Sequence, residues 1–172
     1  YGLDRWLTLP RYIPEEDTRL LKNCYRQYRQ YSKVQTVLKN NLISLLDTVC
    51  PNVNRLFSSP IRGDGSEKWV DFVAEFWHCR YVSEKSERAF TSKYLRWCRK
   101  HGYNFREAKA HTIYAEASGH IGVMPKSETT KLLVEQAVAQ LRATSTALAA
   151  LKHEMQSLAS MLPEYPVVMD LL

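Results

Sequence analysis

Residues 18–49, TRLLKNCYRQYRQYSKVQTVLKNNLISLLDTV, decide the fold of this chain, because they carry two opposed stripes when they form one helix. One stripe is apolar and repeats every three or four residues, the spacing of a helix face that packs on a partner. Its members are Cys24, Tyr28, Tyr31, Val34, Leu38, Leu42, Leu45 and Val49. The pattern predicts a long amphipathic helix that ends near Val49, before Pro51.

The opposite stripe of this helix is cationic. Its five members recur at spacings of three and four: Arg19, Lys22, Arg26, Arg29 and Lys33. Residues 18–46 contain no Asp or Glu, whereas solvated helix faces usually mix the two signs and gain i,i+4 ion pairs. A row of cations without interleaved acids is typical of a surface that contacts the phosphate backbone of a nucleic acid. A merely solvated helix face is the alternative.

Two further features add candidate contacts to such a surface. Tyr25 borders the cationic stripe, where its ring could stack on a base or a sugar, although a Tyr there is more often an amphipathic boundary residue. The sequence also predicts a basic helix over residues 85–100, which is free of acids after Phe90. Its candidate phosphate contacts are Arg96, Arg99 and Lys100, with Tyr94 and Trp97 nearby. The alternative for this helix is an ordinary basic surface.

A second long helix is predicted between Pro125 and Pro163, with Ser127 as a candidate N-cap. Its apolar residues repeat at spacings of three and four over four heptads, which is the a/d pattern of a coiled coil. The predicted dimerisation residues are Val134, Leu141, Leu148, Leu151, Met155 and Leu158. Ala137 and Thr144 are small members of this a/d row, called the seam below, so a partner helix has to contribute larger side chains at those positions. The pattern favours a homodimer.

Shorter helices are expected between these two. Residues 1–14 are predicted to be irregular because they contain Pro10 and Pro14. The candidate helix starts are Ser66, Ser83 and Asn104, and the candidate helix ends are Gly102 and Gly119. Since no stretch alternates like a strand, the chain is predicted to be all-α. It comprises a long basic amphipathic helix, a short helical insertion and a long C-terminal coiled-coil helix.

The composition excludes several classes of protein. No apolar run approaches the ~20 residues of a membrane span, and the first residues lack the order of a signal peptide. The formal charge of +6 is uneven, since residues 1–110 hold 20 Lys/Arg against 12 Asp/Glu and residues 111–172 hold 4 against 6. Residues 1–110 are therefore expected to bind a polyanion, and residues 111–172 are expected to pack against other parts of the protein.

Residues for catalysis or metal binding are scarce. The four cysteines (Cys24, Cys50, Cys79 and Cys98) form no CxxC motif. Cys24, Cys79 and Cys98 lie on apolar helical faces, so they are expected to be small core residues in a reducing cytoplasm. The five histidines form no HxxxH or HExxH motif, so no metal site is predicted. No acidic cluster, nucleophile elbow or phosphate-binding glycine loop is present either. A stand-alone enzyme is therefore the least favoured interpretation.

The block RWLTLPRYIPEEDTRLLKNCYRQYRQYSKVQTVLKNNLISLL, residues 5–46, resembles the middle of the DEDD transposases of insertion-sequence family 110. In that family a basic helix with spaced arginines and a Leu-Lys-Asn-x-Leu motif follows the acidic catalytic domain. The matching residues here are Arg19, Leu21, Arg26, Arg29, Leu38, Lys39, Asn40, Leu42, Leu45 and Leu46. Residues 130–172 are also similar to the family, as a coiled-coil helix that runs into LPEYPVVMDLL. Residues 51–125 match no motif of it.

The resemblance implies a ribonuclease-H-like (RuvC-like) catalytic domain with four acidic residues, a downstream serine nucleophile, a divalent metal and a bridging guide RNA. No residue here matches the acidic set or the serine, so no catalytic residue, metal ligand or cofactor is predicted in this chain. The expected organisation is an excised middle of the parent protein. Residues 1–50 would be the tail of the catalytic domain, 51–125 a helical insertion, 126–163 the coiled-coil helix and 164–172 the start of a truncated C-terminal transposase domain.

Two functions from different classes follow. The first is a nucleic-acid-binding and dimerising region of a bacterial cytoplasmic transposase, which acts in DNA transposition and recombination. Its partners would be DNA, guide RNA as a second candidate, and another copy of the chain, with no membrane. The second is a structural coiled-coil interaction module without affinity for nucleic acid.

Overall fold

The computed structural model describes the backbone of residues 2–162 and the side chains of residues 16–162, and every regular element in that part is helical. The helices are α1 Gly2–Val49, α2 Lys68–Glu75, α3 Arg80–Ser83, α4 Glu87–His101, α5 Glu107–Gly119 and α6 Glu128–Ser160, with a 3-10 turn at Val53–Leu56. The all-α prediction and the long helix at each end are confirmed. None of the helices described is both long and apolar enough to cross a membrane.

The two long helices, α1 and α6, pack against each other as an antiparallel pair. Leu21, early in α1, shares a small apolar cluster with Met155, late in α6. Leu42, late in α1, shares the main core with Val134 and Leu141, early in α6. Residue numbers therefore rise along one helix as they fall along the other. The a/d seam of α6 therefore packs against α1 of the same chain.

The inward face of α1 differs in part from the predicted one. Leu42 and Val49 are buried as expected, but Tyr31 and Val34 are 39% and 47% exposed. Leu46, outside the predicted stripe, is buried instead. The reason is that the line of contact with α6 follows every seventh residue of α1, as in a coiled coil, so residues to one side of it face solvent. The residues on that line are Leu21, Tyr28, Gln35, Leu42 and Val49.

The start of α1 was predicted wrongly. The helix begins at Gly2 and passes through Pro10 and Pro14, where the sequence indicated irregular structure. The fixed φ of proline is compatible with a helix, and each proline removes one backbone donor and crowds the preceding turn. Two prolines therefore weaken this part of α1 without ending it.

The helix predicted after Ser66 is divided into α2 and α3. Ser66 does not cap it, because its backbone N–H and its hydroxyl both donate to the Asp64 carboxylate, at 2.9 and 2.7 Å. The division is stabilised by His78, which is 2% exposed. Its Nδ1 accepts from the backbone N–H of Arg80 at 3.2 Å, and its Nε2 lies 2.8 Å from the Met124 carbonyl oxygen.

The other predicted boundaries hold to within a few residues. Ser86 rather than Ser83 caps α4, and Gly102 ends it with φ 69°. The third short helix, α5, begins after Arg106 rather than Asn104 and ends at Gly119 as predicted. Ser127 caps α6 by accepting from the backbone N–H of Thr130 at 3.2 Å, as predicted.

An aromatic core attaches the short helices to the long pair. Phe72 stacks on Phe76 with ring centroids 4.5 Å apart, and Trp97 meets Phe72 edge-on at 5.6 Å. These rings belong to one cluster of buried residues that also contains Leu46 of α1 and Leu141 of α6. Burial of several aromatic rings is a large share of the stabilisation available to a chain of this size. The segment 51–125 thus shares its core with the two long helices.

Candidate nucleic-acid interface

The cationic stripe lies on the surface of α1, where all five side chains are exposed. Within the described part of the chain, Lys22, Arg26, Arg29 and Lys33 form no ion pair. The Arg29 guanidinium lies 6.0 Å from the centroid of the Tyr25 ring. Unpaired Lys and Arg keep their donors available for phosphate oxygens.

The stripe lies beside the contact line with α6. Lys22 and Arg29 each follow a residue of that line, Leu21 and Tyr28, by one position, which is about 100° around the helix. Leu21 is buried and Tyr28 is half-buried. The cations therefore stand at the edge of the helix pair, next to the groove in which Tyr28 lies.

That groove is a cleft of about 470 Å³ between α1, α6 and the loop 61–65. Tyr28 lines it from α1, Lys152 and His153 line it from α6, and Arg62 lines it from the loop. Arg62 and Lys152 were not among the predicted contacts. They lie far from the stripe in sequence, and only the packing of α6 and the loop against α1 brings them to the cleft that Tyr28 lines.

Arg62 connects this cleft to the end of α4. Its Nη2 donates to the Gly102 carbonyl oxygen at 3.1 Å, and its guanidinium lies 3.9 Å from the centroid of the Tyr103 ring. Gly102 directly follows the last turn of α4, which holds Arg99 and Lys100. Arg62 thus joins the cleft to the C-terminal end of α4.

The second predicted basic surface is exposed at Arg96, Arg99 and Lys100. Tyr94 and Trp97, expected near it, are 0% and 2% exposed and lie in the core, so their rings cannot stack on a base. Cations in the last turn of a helix also stabilise it through the helix dipole. This surface therefore has a structural explanation beside the functional one.

Tyr25 is half-buried and packs against the cluster that contains Leu21 and Met155. One side of its ring is used by the protein, and the Arg29 guanidinium lies near the ring. This is the arrangement of an amphipathic boundary residue. A base could reach only the part of the ring that remains exposed.

The predicted dimerisation residues lie on the seam of α6. Val134, Leu141, Leu148 and Met155 are buried within the single chain, while Leu151 and Leu158 are half-buried. Since α1 already covers them, the seam gives no separate argument for a second subunit, and the homodimer stays a prediction. The predicted start of a further domain at 164–172 lies outside the described residues.

The chemistry of this side of the molecule is that of cation-to-anion contact. Among the side chains of residues 16–162, no three His, Cys, Asp or Glu come together as a metal site would require. Cys50, Cys79 and Cys98 are buried free thiols. Burial raises the pKa of Cys50 to about 12, with smaller contributions from Cys79 and Glu116. A thiol of this kind is not a nucleophile near neutral pH.

No protein-family model, no curated protein and no solved structure matches this chain. A proposal for its function therefore depends on its own residues. The feature with the clearest chemistry is the exposed cationic stripe of α1.

Proposed function

We propose that this chain binds nucleic acid, as the middle region of a DNA transposase of an insertion sequence that acts in DNA transposition and recombination. The observation that supports nucleic-acid binding is the stripe itself, and the transposase part of the proposal comes from the resemblance of residues 5–46. The stripe has no acid within residues 18–46, and four of its exposed cations have no ion pair among the described residues. Like charges at i,i+3 and i,i+4 destabilise a helix slightly, so a polyanionic ligand explains an arrangement that the fold does not need.

The contact would be made to the phosphate backbone. From Arg19 to Lys33 the stripe extends about 21 Å, at about 1.5 Å per residue, which is the length of several phosphate steps along one strand. Contacts of this kind position a nucleic acid without reading its sequence. In this proposal the acidic residues and the divalent metal for DNA cleavage belong to the parent transposase.

The decisive experiment measures binding to duplex DNA and to a structured RNA against salt concentration, by fluorescence anisotropy. We expect affinity to fall steeply with salt, since each neutralised phosphate adds about 0.9 to the slope for duplex DNA. The variant Arg26→Glu/Arg29→Glu should lose most binding and lower the slope by about 2. Its helix content, measured by circular dichroism, should stay unchanged because both side chains are exposed.

The matched control is Arg55→Glu/Arg80→Glu, which makes the same change in net charge. Both arginines are exposed, and both lie near the far end of α1, where the N–H of Cys79 donates to the Val49 carbonyl oxygen at 3.2 Å. Val49 is about 24 Å along the helix from Lys33. The proposal fails if the control loses as much binding as the stripe variant, or if binding does not depend on salt.

The alternative is a structural interaction module without affinity for nucleic acid. The observation in its favour is that α6 covers α1 from Leu42 to Leu21, which makes a long, internally packed helix pair. It predicts no measurable binding in the titrations above, and no effect of charge reversal at Arg26 and Arg29 on any partner. A homodimer is part of both proposals, and light scattering coupled to gel filtration measures it directly.

A further inference from the structure

A buried lysine without a counter-ion stands at the start of α2. Lys68 is 9% exposed, and its ammonium makes no ion pair or hydrogen bond with any side chain or carbonyl that the structure describes. Its contacts are aromatic, since Nζ lies 5.6 Å from the ring centroid of Phe57, 6.0 Å from that of Tyr94 and 5.3 Å from that of Tyr103. Lysine is almost never buried without a partner, because its charge loses hydration.

More cations surround this lysine. Lys109 Nζ lies 5.7 Å from the centroid of the same Phe57 ring. Desolvation lowers the pKa of Lys68, the nearby Cys98 thiol acts against this shift, and repulsion from Lys109, Arg106 and Arg62 adds to it. The fold thus gathers positive charge around the ammonium of Lys68, whose side chain is largely covered by aromatic rings and which faces the pocket described next. Arrangements that oppose stability in this way are concentrated at binding sites.

A pocket of about 460 Å³ opens beside these amines. Its cationic lining is Lys68, Arg106 and Lys109, its polar lining includes Ser58, Ser59 and Asn104, and no Asp or Glu lines it. Lys109 belongs to the first turn of α5, whose N-cap residue Arg106 gives no side-chain cap. The first turn of α5, the positive end of that helix, therefore lies at the same pocket.

We propose that this pocket binds one phosphate group, with Lys68, Arg106 and Lys109 as its cationic contacts and the hydroxyls of Ser58 and Ser59 as further donors. The phosphate supplies the missing partner of the Lys68 ammonium and offsets the repulsion among the three cations. The group is either the terminal phosphate of a nucleic-acid strand or a free phosphate, which present the same oxygens. None of the five stripe residues lines the pocket, so this site does not depend on the proposed function.

The test follows the Lys68 side chain by NMR of the full chain with ¹³C-labelled lysine, titrated with pH at constant ionic strength. Adding inorganic phosphate should raise the pKa of Lys68 saturably and leave the Lys131 signal unmoved, since Lys131 is on α6 and lies 3.9 Å from Glu135. Lys68→Met should weaken phosphate binding about tenfold or more. It should also raise the melting temperature without phosphate, because partial desolvation and the neighbouring cations both oppose this charge. Lys131→Met is the control and should change neither.

Two oligonucleotides of one sequence, with a 5′-phosphate or a 5′-hydroxyl, identify the source of the group. Preference for the phosphorylated strand that is lost in Lys68→Met assigns the pocket to a strand end. Equal affinity for both strands, with a saturable response to inorganic phosphate, assigns it to free phosphate. The Arg26→Glu/Arg29→Glu variant should keep the phosphate response even where it loses duplex binding. The proposal is overturned if phosphate leaves the Lys68 signal unchanged, or if Lys68→Met binds phosphate as tightly as the original chain.

Discussion

Gln35 and Ser145 form a hydrogen bond across the two long helices, from the amide nitrogen of one to the hydroxyl oxygen of the other at 3.0 Å. Gln35 lies on the contact line of α1, between Tyr28 and Leu42, and Ser145 is 7% exposed on α6. A polar pair within an otherwise apolar seam is satisfied in only one alignment of the helices. The bond therefore helps to fix the register of α6 along α1.

The first prediction concerns this bond. Ser145→Ala leaves the Gln35 amide partly buried without its acceptor, so we expect the free energy of unfolding in urea to fall by about 1 kcal/mol. Adding Gln35→Leu should recover most of the loss, because both polar groups are then gone. Thr146→Ala, at an exposed neighbouring position, is the control and should stay within about 0.5 kcal/mol. Equal stability of the Ser145 variant and this control would show that the bond contributes nothing.

The second prediction concerns Gly65, which lies directly against the backbone of α6. Its φ is +86°, and a Cβ at this position would stand 2.4 Å from the Ser145 carbonyl oxygen. Gly65→Ala combines a strained φ with a clash against helix backbone, so we expect a loss of about 2–3 kcal/mol in thermal unfolding. Gly63→Ala in the same loop has nothing within 4 Å of the added atom and should change stability little. Similar melting temperatures for the two variants would contradict the close approach.

Much of the fold could be predicted because its strongest signals are local. The heptads of α6, the Ser127 cap and the Gly102 stop depend only on residues a few positions apart. The partner of the α6 seam could not be predicted, since an a/d pattern is the same whether the covering helix belongs to the same chain or to another. The burial of Leu46 in place of Tyr31 likewise depends on the direction in which α6 crosses α1.

The candidate sites also differ in how far they could be predicted, according to whether their residues belong to one helix or come from distant segments. The cationic stripe belongs to one helix, so its spacing was visible in the sequence. Arg62 and Lys152 come together in the cleft next to Tyr28 only through the packing of three segments. Nothing in the sequence around Lys68 marks it as buried, because its surroundings are the rings of Phe57 and Tyr103, which come from other parts of the chain.

The third prediction concerns pH. Burial raises the pKa of the Cys50 thiol to about 12 in the folded state, whereas in the unfolded chain its pKa has the ordinary value of 9.0. Between these values the folded state binds more protons, so stability falls as pH rises, by up to about 1.4 kcal/mol per pH unit for this thiol. Stability measured by urea unfolding at each pH should decline less steeply for Cys50→Ala than for the original chain.

The comparison isolates Cys50 because the other groups are common to both proteins. Burial also raises the pKa of Tyr94 and of Tyr103, which lowers stability at high pH in each of them. Desolvation lowers the pKa of Lys68, which acts in the opposite direction. The cavity left by Cys50→Ala lowers the free energy of unfolding by the same amount at every pH. It therefore shifts the plot of this free energy against pH without changing its slope. Parallel curves between pH 9 and 12 would therefore mean that the thiol ionises equally well in the folded protein.

The fourth prediction concerns Arg62, where the cleft beside the stripe meets the end of α4. Arg62→Ala removes a charge from this side of the molecule together with the contacts to Gly102 and Tyr103. We expect anisotropy titrations to show several-fold weaker binding of duplex DNA and a salt slope lower by about 0.9. Arg62→Lys should recover part of the affinity, because it keeps the charge but loses the planar group that lies over the Tyr103 ring. Arg55→Ala is the control for net charge.

The result also decides whether the two basic surfaces act together. If one nucleic acid crosses both, then Arg99→Gln/Lys100→Gln should lower the slope further by about 2, and each loss should persist when the variants are combined. If instead the cations at the end of α4 only stabilise that helix through its dipole, Arg99→Gln/Lys100→Gln should lower the free energy of unfolding by a few tenths of a kcal/mol. It should then bind DNA like the original chain. Unchanged binding in Arg62→Ala itself would confine the interface to the exposed stripe between Arg19 and Lys33.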